Sequence, residues 1–214
     1  MIMDSIDQIR NNIAEIDMLL DYASDNTGDI KRYQTFIKAS VVLLSTKFEV
    51  FLEDFIDEHS RMFLAGHTNS TISTELKNKY IDTAINLVKE TNNRTKKNQY
   101  LSMVSKLLIN SGESISTFSS IRPSTKFSFG KHGQKEIEAL FERHGLKTFI
   151  TSEQIHDSLQ IMNSLFSIRN NVIHEDASPT LTHQTIKDHE NNIMHFVDLL
   201  EKDITVNHMA YYNQ

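Results

Sequence analysis

The chain contains no cysteine and no tryptophan among its 214 residues. The absence of cysteine excludes a disulfide scaffold, a thiolate metal site and a thiol nucleophile. No apolar run approaches the roughly 18 residues that suggest a membrane span, and the first residues lack the basic and apolar regions of a signal peptide. The sequence therefore predicts a cytoplasmic protein without a membrane partner.

Residues that interrupt helices are also scarce, since the chain has only two prolines and six glycines. This composition is typical of long helices joined by short loops. A chain of 214 residues is large enough to bury one sizeable core. We therefore expect an all-α fold in which residues 1–214 form a single domain.

Apolar residues at spacings of three and four predict the helices that build this domain. The early core helix covers about residues 30–63, and two later helices cover about 153–175 and 182–204. The wide apolar stripe of the early helix predicts the centre of a bundle; it comprises Ile37, Val41, Leu44, Phe48, Phe51 and Phe55. The approximate heptads of the last helix indicate either a seam within the bundle or a dimer contact.

A long insertion separates the early helix from the late helices. Residues 111–132 within it are rich in serine and threonine and contain Pro123 and Gly130. Phe127 and Phe129 alternate there with a serine. These features predict an ordered loop or a short strand.

The insertion is basic, although the whole chain has a net charge of −6. Between residues 91 and 135 there are eight cations and one acid, a net charge of +7, so the remainder carries −13. This segment either focuses a positive potential for RNA or forms an ordinary solvated face. For the first interpretation the candidate RNA-binding residues are Arg122, Lys126, Lys131 and Lys135.

The run IRNNVIH at residues 168–174 combines three side chains that suit phosphate chemistry. Asn170 and His174 are four residues apart and project from one helix face. Arg169 continues the buried stripe of its helix, so its guanidinium needs a partner: either a structural salt bridge to Glu49 or Glu53, or a substrate phosphate. The imidazole of His174 is able to take and give a proton near neutral pH.

The spacing Arg-Asn-x-x-x-His, late in an all-helical chain, resembles the motif of the HEPN superfamily. A second stretch agrees with this resemblance: residues 37–54, IKASVVLLSTKFEVFLED, look like the early helix of bacterial RiboL-PSP-type HEPN proteins. The resemblance extends from about residue 35 to residue 200. It implies a HEPN-like helical bundle.

The resemblance also implies an activity, metal-independent cleavage of RNA. Arg169, Asn170 and His174 are then the catalytic residues, in a composite site that a homodimer shares. Glu49 matches an acidic residue of the early helix, with either a supporting role or a structural ion pair. The setting that the family implies is phage defence or a toxin–antitoxin pair, with a neutralising or regulatory protein partner.

Other interpretations stay open. The fold also suits a non-catalytic RNA-binding or antitoxin-like module, or a structural adaptor in which the motif is incidental. Ten histidines invite a metal site, but no His-Glu-x-x-His pattern occurs, and His183, His189 and His195 are rotated about 240° from one another on a helix. We expect no metal and no cofactor.

Overall fold

The computed structural model of the chain describes residues 3–109, 112–127, 133–174 and 181–208. Its helices, in chain order, are α1 Asp4–Asp25, α2 Ile30–Gly66, α3 Thr74–Glu90, α4 Arg94–Leu108, α5 Gln134–Arg143, α6 Lys147–Ile150, α7 Glu153–His174 and α8 His183–Asp203. A 3-10 helix spans Ile115–Ile121, and a π-helical turn, Ile204–His208, follows α8. The all-α prediction is confirmed, since no strand forms among the described residues.

The early helix α2 is the centre of a bundle that α1, α7 and α8 complete. The whole predicted stripe of α2, from Ile37 to Phe55, is buried. Phe48 contacts Phe166 of α7 and Phe196 of α8, with ring centroids 6.3 Å and 5.9 Å apart. The predicted centre of the fold is therefore the observed one.

Polar contacts fix the ends of the bundle. The first helix has no capping side chain of its own, and Glu58 of α2 accepts hydrogen bonds from the backbone N–H groups of Asp4 and Ser5 at 2.9 and 3.0 Å. At the other end, the hydroxyl of Tyr33 accepts a hydrogen bond from the N–H of His183 at 3.0 Å. The N-terminal ends of α2 and α8 are therefore neighbours.

The last helix packs inside the subunit. The apolar positions of its predicted heptads are buried in the main core, the last of them just after the helix ends; they are Ile186, Ile193, Val197, Leu200 and Ile204. The heptad spacing of this helix is compatible with a seam within the bundle or with a dimer contact. The described residues support the seam within the bundle.

A smaller hydrophobic cluster lies at the C-terminal end of α2. It joins Leu64 of α2 to buried residues of α3, α4 and the 3-10 helix. In the segment expected to be a loop or strand, Ile115, Phe118 and Ile121 are all buried. Their spacing of three matches the three residues per turn of a 3-10 helix. This explains why residues 115–121 are helical and not extended. Residues 128–132, which include Phe129, lie outside the described residues.

Candidate active site

The motif lies at the C-terminal end of α7, on the helix that the sequence predicts. The buried stripe of α7 runs through Ile155, Leu159, Met162 and Phe166. Phe166 packs against Phe48 and so anchors this end of α7 to α2. The fully buried stripe therefore ends three residues before Arg169, and Ile168 and Val172 pack against the core while partly buried.

Arg169 follows that stripe and is half-buried. Its Nη1 donates to Oδ1 of Asn170 at 3.1 Å, whereas its Nε is buried without an acceptor. No carboxylate of the described residues lies within 4.0 Å of its guanidinium. A buried donor without an acceptor costs about 1–3 kcal/mol. Arg169 is thus held as a cation without the salt bridge to Glu49 or Glu53 that the sequence leaves open.

Asn170 and His174 are both exposed on one face of α7. They end a row of exposed polar side chains at helical spacing; the preceding members are His156, Gln160, Asn163 and Ser167. His174 makes no side-chain hydrogen bond with any described residue, so both ring nitrogens are accessible. The hydrogen bond from Arg169 to Asn170 draws the guanidinium toward this face. The hydrogen bond thus joins the cation to the amide, and the imidazole of His174 follows one turn further along on the face of Asn170.

Glu49 is half-buried on α2. Within the described structure no hydrogen bond or ion pair joins it to Arg169, Asn170 or His174. Glu53, one turn further along α2, contacts the basic segment instead of the motif. The supporting role of Glu49 remains a prediction.

Two of the four candidate RNA-binding residues form ion pairs with α2. Nη2 of Arg122 lies 2.7 Å from Oδ1 of Asp57, and Nζ of Lys126 lies 2.8 Å from Oε2 of Glu53. The hydrogen bond to Glu53 raises the pKa of Lys126. Both cations tether residues 122–127 to the early core helix. The sequence carries no signal for these pairs, because the partners are 65 and about 73 residues away along the chain.

The other two candidates lie near the start of α5. Lys135 is exposed in its first turn, and Lys131 lies outside the described residues. This end of α5 contacts the polar face of α7, since Nε2 of Gln134 is 3.3 Å from Nδ1 of His156. A Cβ atom at Gly133 would lie 3.2 Å from Oδ1 of Asn163, so the two elements approach closely. Lys135 is therefore a cation beside the motif helix.

The described residues also bear on the expectations about a metal site and a membrane span. Among the described residues, no group of three or more histidine and carboxylate side chains is arranged to hold a metal ion. No helix in the described ranges is both long and apolar enough to span a membrane.

A helical bundle with an Arg-Asn-x-x-x-His motif at the end of a core helix defines a HEPN-type protein. The family model described as RiboL-PSP-HEPN matches residues 7–206, and the chain belongs to this family. Neither the search of curated proteins nor the search of solved structures found a match. Membership of a HEPN family indicates a nuclease or another RNA-related function.

Proposed function

We propose that this protein is a metal-independent endoribonuclease of HEPN type, with Arg169, Asn170 and His174 as its catalytic residues. The observation that carries this proposal is the state of Arg169: a half-buried guanidinium whose Nε lacks an acceptor and which has no carboxylate partner among the described residues. A phosphate bound to the guanidinium supplies the missing negative charge.

Arg169 binds the scissile phosphate in this proposal. Its planar guanidinium offers two parallel N–H groups to two phosphate oxygens, and the same contact stabilises the charge that develops in the transition state. Asn170 holds the guanidinium in place through the hydrogen bond from Nη1. Asn170 therefore positions Arg169, and in this proposal its amide also contacts the substrate.

His174 supplies the proton transfer. Its imidazole takes the proton of the ribose 2′-hydroxyl, and the 2′ oxygen then attacks the adjacent phosphorus. The bond from phosphorus to the 5′ oxygen breaks, and that oxygen takes up a proton. The products carry a 2′,3′-cyclic phosphate and a 5′-hydroxyl. Because the nucleophile belongs to the substrate, the reaction needs no metal to generate it.

The RNA contacts follow from charge and position. Lys135 lies beside the polar face of α7, and Lys131 precedes it by four residues. Arg122 and Lys126 would have to exchange a carboxylate partner for a phosphate, so we expect smaller contributions from them. Glu49 supports the site from α2, the helix against which α7 packs.

The assembly and setting rest on the family. We propose a homodimer in which two motifs face one cleft, because the exposed polar face of α7 leaves the motif open on a single subunit. We also propose a cytoplasmic role in phage defence or as a toxin held by a neutralising protein.

The test uses purified protein and end-labelled RNA in EDTA, beside the His174→Ala variant. His174 is exposed and makes no hydrogen bond with any described residue, so the variant is expected to fold like the wild type. We expect its cleavage rate to fall by about 100-fold or more, because general acid–base catalysis contributes about 10²–10⁴-fold. Circular dichroism supplies the folding control, and analysis of the fragment ends identifies the chemistry.

Two results would contradict the mechanism. Cleavage that survives in His174→Ala would show that His174 is not the general base. Fragments with 3′-hydroxyl ends would show that the 2′ oxygen is not the nucleophile. Intact RNA in both samples, with salt-sensitive RNA binding, would instead support the non-catalytic RNA-binding module.

A further inference from the structure

A groove separate from the motif lies between α4 and the 3-10 helix, with a volume of about 430 Å³. Hydrogen-bonding side chains without charge make up most of its lining; they are Thr95, Asn98, Gln99, Ser102 and Thr117. Met103 and Phe118 add apolar surface. A groove of this size, with a few polar groups beside apolar ones, suits a small organic group such as a nucleobase.

The amides that line the groove are available. In the part of the chain that the structure describes, the side chains of Asn98 and Gln99 form no hydrogen bond. Each amide carries both a donor and an acceptor, the combination that matches the edge of a base. At the other end of the groove, Nζ of Lys106 lies 3.2 Å from Oε1 of Glu113. That pair adds one further donor and one further acceptor.

The groove is built on a rigid support. Asn69 is fully buried, and its Nδ2 donates to the carbonyl oxygen of Lys106 at 2.9 Å. Its backbone N–H donates to the carbonyl oxygen of Glu113 at 2.8 Å. One buried residue therefore joins the two sides of the groove, so that a ligand meets a preformed site.

Cations without partners lie at the N-terminal end of α4. Arg94, Lys96 and Lys97 make no ion pair with any described residue, and the first turn of α4 contains no acid. Cations at this end oppose the helix dipole, at a cost of about 0.3–1 kcal/mol each. Arg94 precedes Asn98 by four residues and Lys96 precedes Gln99 by three, so these cations border the groove. An anionic ligand accounts for this arrangement.

We propose that this groove binds unpaired nucleotides of the RNA substrate, with bases against Asn98 and Gln99 and phosphates at Arg94 and Lys96. The proposal rests on RNA being the substrate. It favours RNA over an acidic protein segment because amides and hydroxyls, and not cations, line most of the groove.

The groove is remote from the cleavage site. The smaller cluster packs on Leu64 of α2 and the motif helix packs near Phe48. At 1.5 Å per residue the two regions are on the order of 25 Å apart along α2. A strand that occupies both would be held at two points, so the groove selects RNA with an unpaired segment at a distance from the cut.

The first test measures binding of a fluorescein-labelled, unstructured oligoribonucleotide in EDTA. The His174→Ala background prevents cleavage during the measurement. We expect Asn98→Ala with Gln99→Ala to weaken binding about tenfold, as for the loss of one good base contact. The matched control is Asn78→Ala with Asn191→Ala, which removes two exposed amides from α3 and α8 and is expected to leave binding unchanged.

The second test uses salt. Removing two phosphate contacts with Arg94→Ala and Lys96→Ala should reduce the slope of log K against log salt concentration by about 1.4 for single strands. The charge-matched control, Lys147→Ala with Lys202→Ala, removes cations of α6 and α8 and should keep the wild-type slope.

The outcomes separate this proposal from the proposed function. Groove variants that bind RNA like their controls would overturn it, even if the wild type cleaves RNA. Groove-dependent binding by a protein that cleaves nothing would support it while the nuclease proposal fails. Groove-dependent binding of a polyglutamate peptide, with RNA binding unaffected, would overturn it in favour of an acidic protein partner.

Discussion

At the scale of single residues, Arg169 distinguishes a functional motif from a structural one. A structural arginine at the end of a buried stripe normally finds a carboxylate, because an unpaired buried charge is costly. Among the described residues, Arg169 donates to Asn170, a neutral neighbour in the chain, and to no carboxylate. The stability of the subunit therefore depends little on this guanidinium, while phosphate binding depends on it directly.

This difference makes Arg169→Lys a specific test. Lysine keeps the charge but offers a point charge in place of a planar fork. We expect RNA cleavage to fall by about 10²–10³-fold, as when one donor to a transition-state oxyanion is removed. The free energy of unfolding should change by no more than about 1 kcal/mol, because among the described residues Arg169 makes a single hydrogen bond, to the neutral Asn170.

Initial rates measure RNA cleavage, and urea denaturation measures the free energy of unfolding. The control is Arg61→Lys, which alters an exposed arginine of α2 that pairs with Asp57 at 3.0 Å. It should cleave RNA like the wild type. A loss of several kcal/mol in Arg169→Lys, in proportion to its loss of activity, would show that Arg169 is structural.

At the scale of elements, ion pairs and hydrogen bonds hold the basic segment 122–127 against the early core helix α2. Arg122 and Lys126 pair with carboxylates of α2, and the N–H of Phe127 donates to Oε1 of Glu53 at 2.8 Å. A further contact joins the same segment to the end of α5, where Nε2 of His144 lies 3.1 Å from the carbonyl oxygen of Ser124. His144 is buried, so this contact responds to pH.

Burial lowers the pKa of His144 to about 4, although the carbonyl of Ser124 acts in the opposite direction. In the unfolded chain its pKa returns to the usual value of 6.5. Between these two values the unfolded chain binds a proton that the folded chain does not. The free energy of unfolding should therefore decrease as the pH falls from 6.5 toward 4, by about 3 kcal/mol from this residue.

Urea denaturation at a series of pH values measures this dependence. His144→Gln keeps a donor for Ser124 but cannot titrate, so it should lose most of the decrease. A smaller decrease remains expected from His189, since burial also lowers its pKa. His195→Gln, exposed on α8, serves as the control and should keep the wild-type dependence. Equal slopes in the two variants would contradict the assignment.

At the scale of the whole molecule, the sequence predicts the features that follow from hydrophobic periodicity. The bundle and the stripe of α2 follow from apolar spacing, and the motif lies on the predicted helix. Contacts between distant segments could not be predicted in this way. The capping of α1 by Glu58 and the ion pair of Arg122 with Asp57 join residues more than 50 positions apart. The groove beside α4 is missed for the same reason, although Arg94, Lys96 and Lys97 at its edge belong to the basic segment that the sequence identifies.

The assembly is the remaining question at this scale. On a single subunit the motif faces outward, and Ile173, an exposed apolar residue of α7, lies next to Asn170 and His174. A second copy packed against this face would enclose the motif and bring two sets of Arg169 and His174 into one cleft. The proposed dimer therefore predicts that the two subunits share a site.

Mixing two inactive variants tests this sharing. A homodimer of Arg169→Ala lacks both guanidinium groups, and a homodimer of His174→Ala lacks both imidazoles. A heterodimer keeps one of each in the cleft, so we expect the mixture to recover part of the wild-type cleavage. Size-exclusion chromatography with light scattering establishes that the mixed sample is dimeric. If each subunit works alone, every subunit in the mixture lacks an essential group and no activity returns. An inactive dimeric mixture would therefore contradict the shared site, and a monomeric but active wild type would contradict the dimer itself.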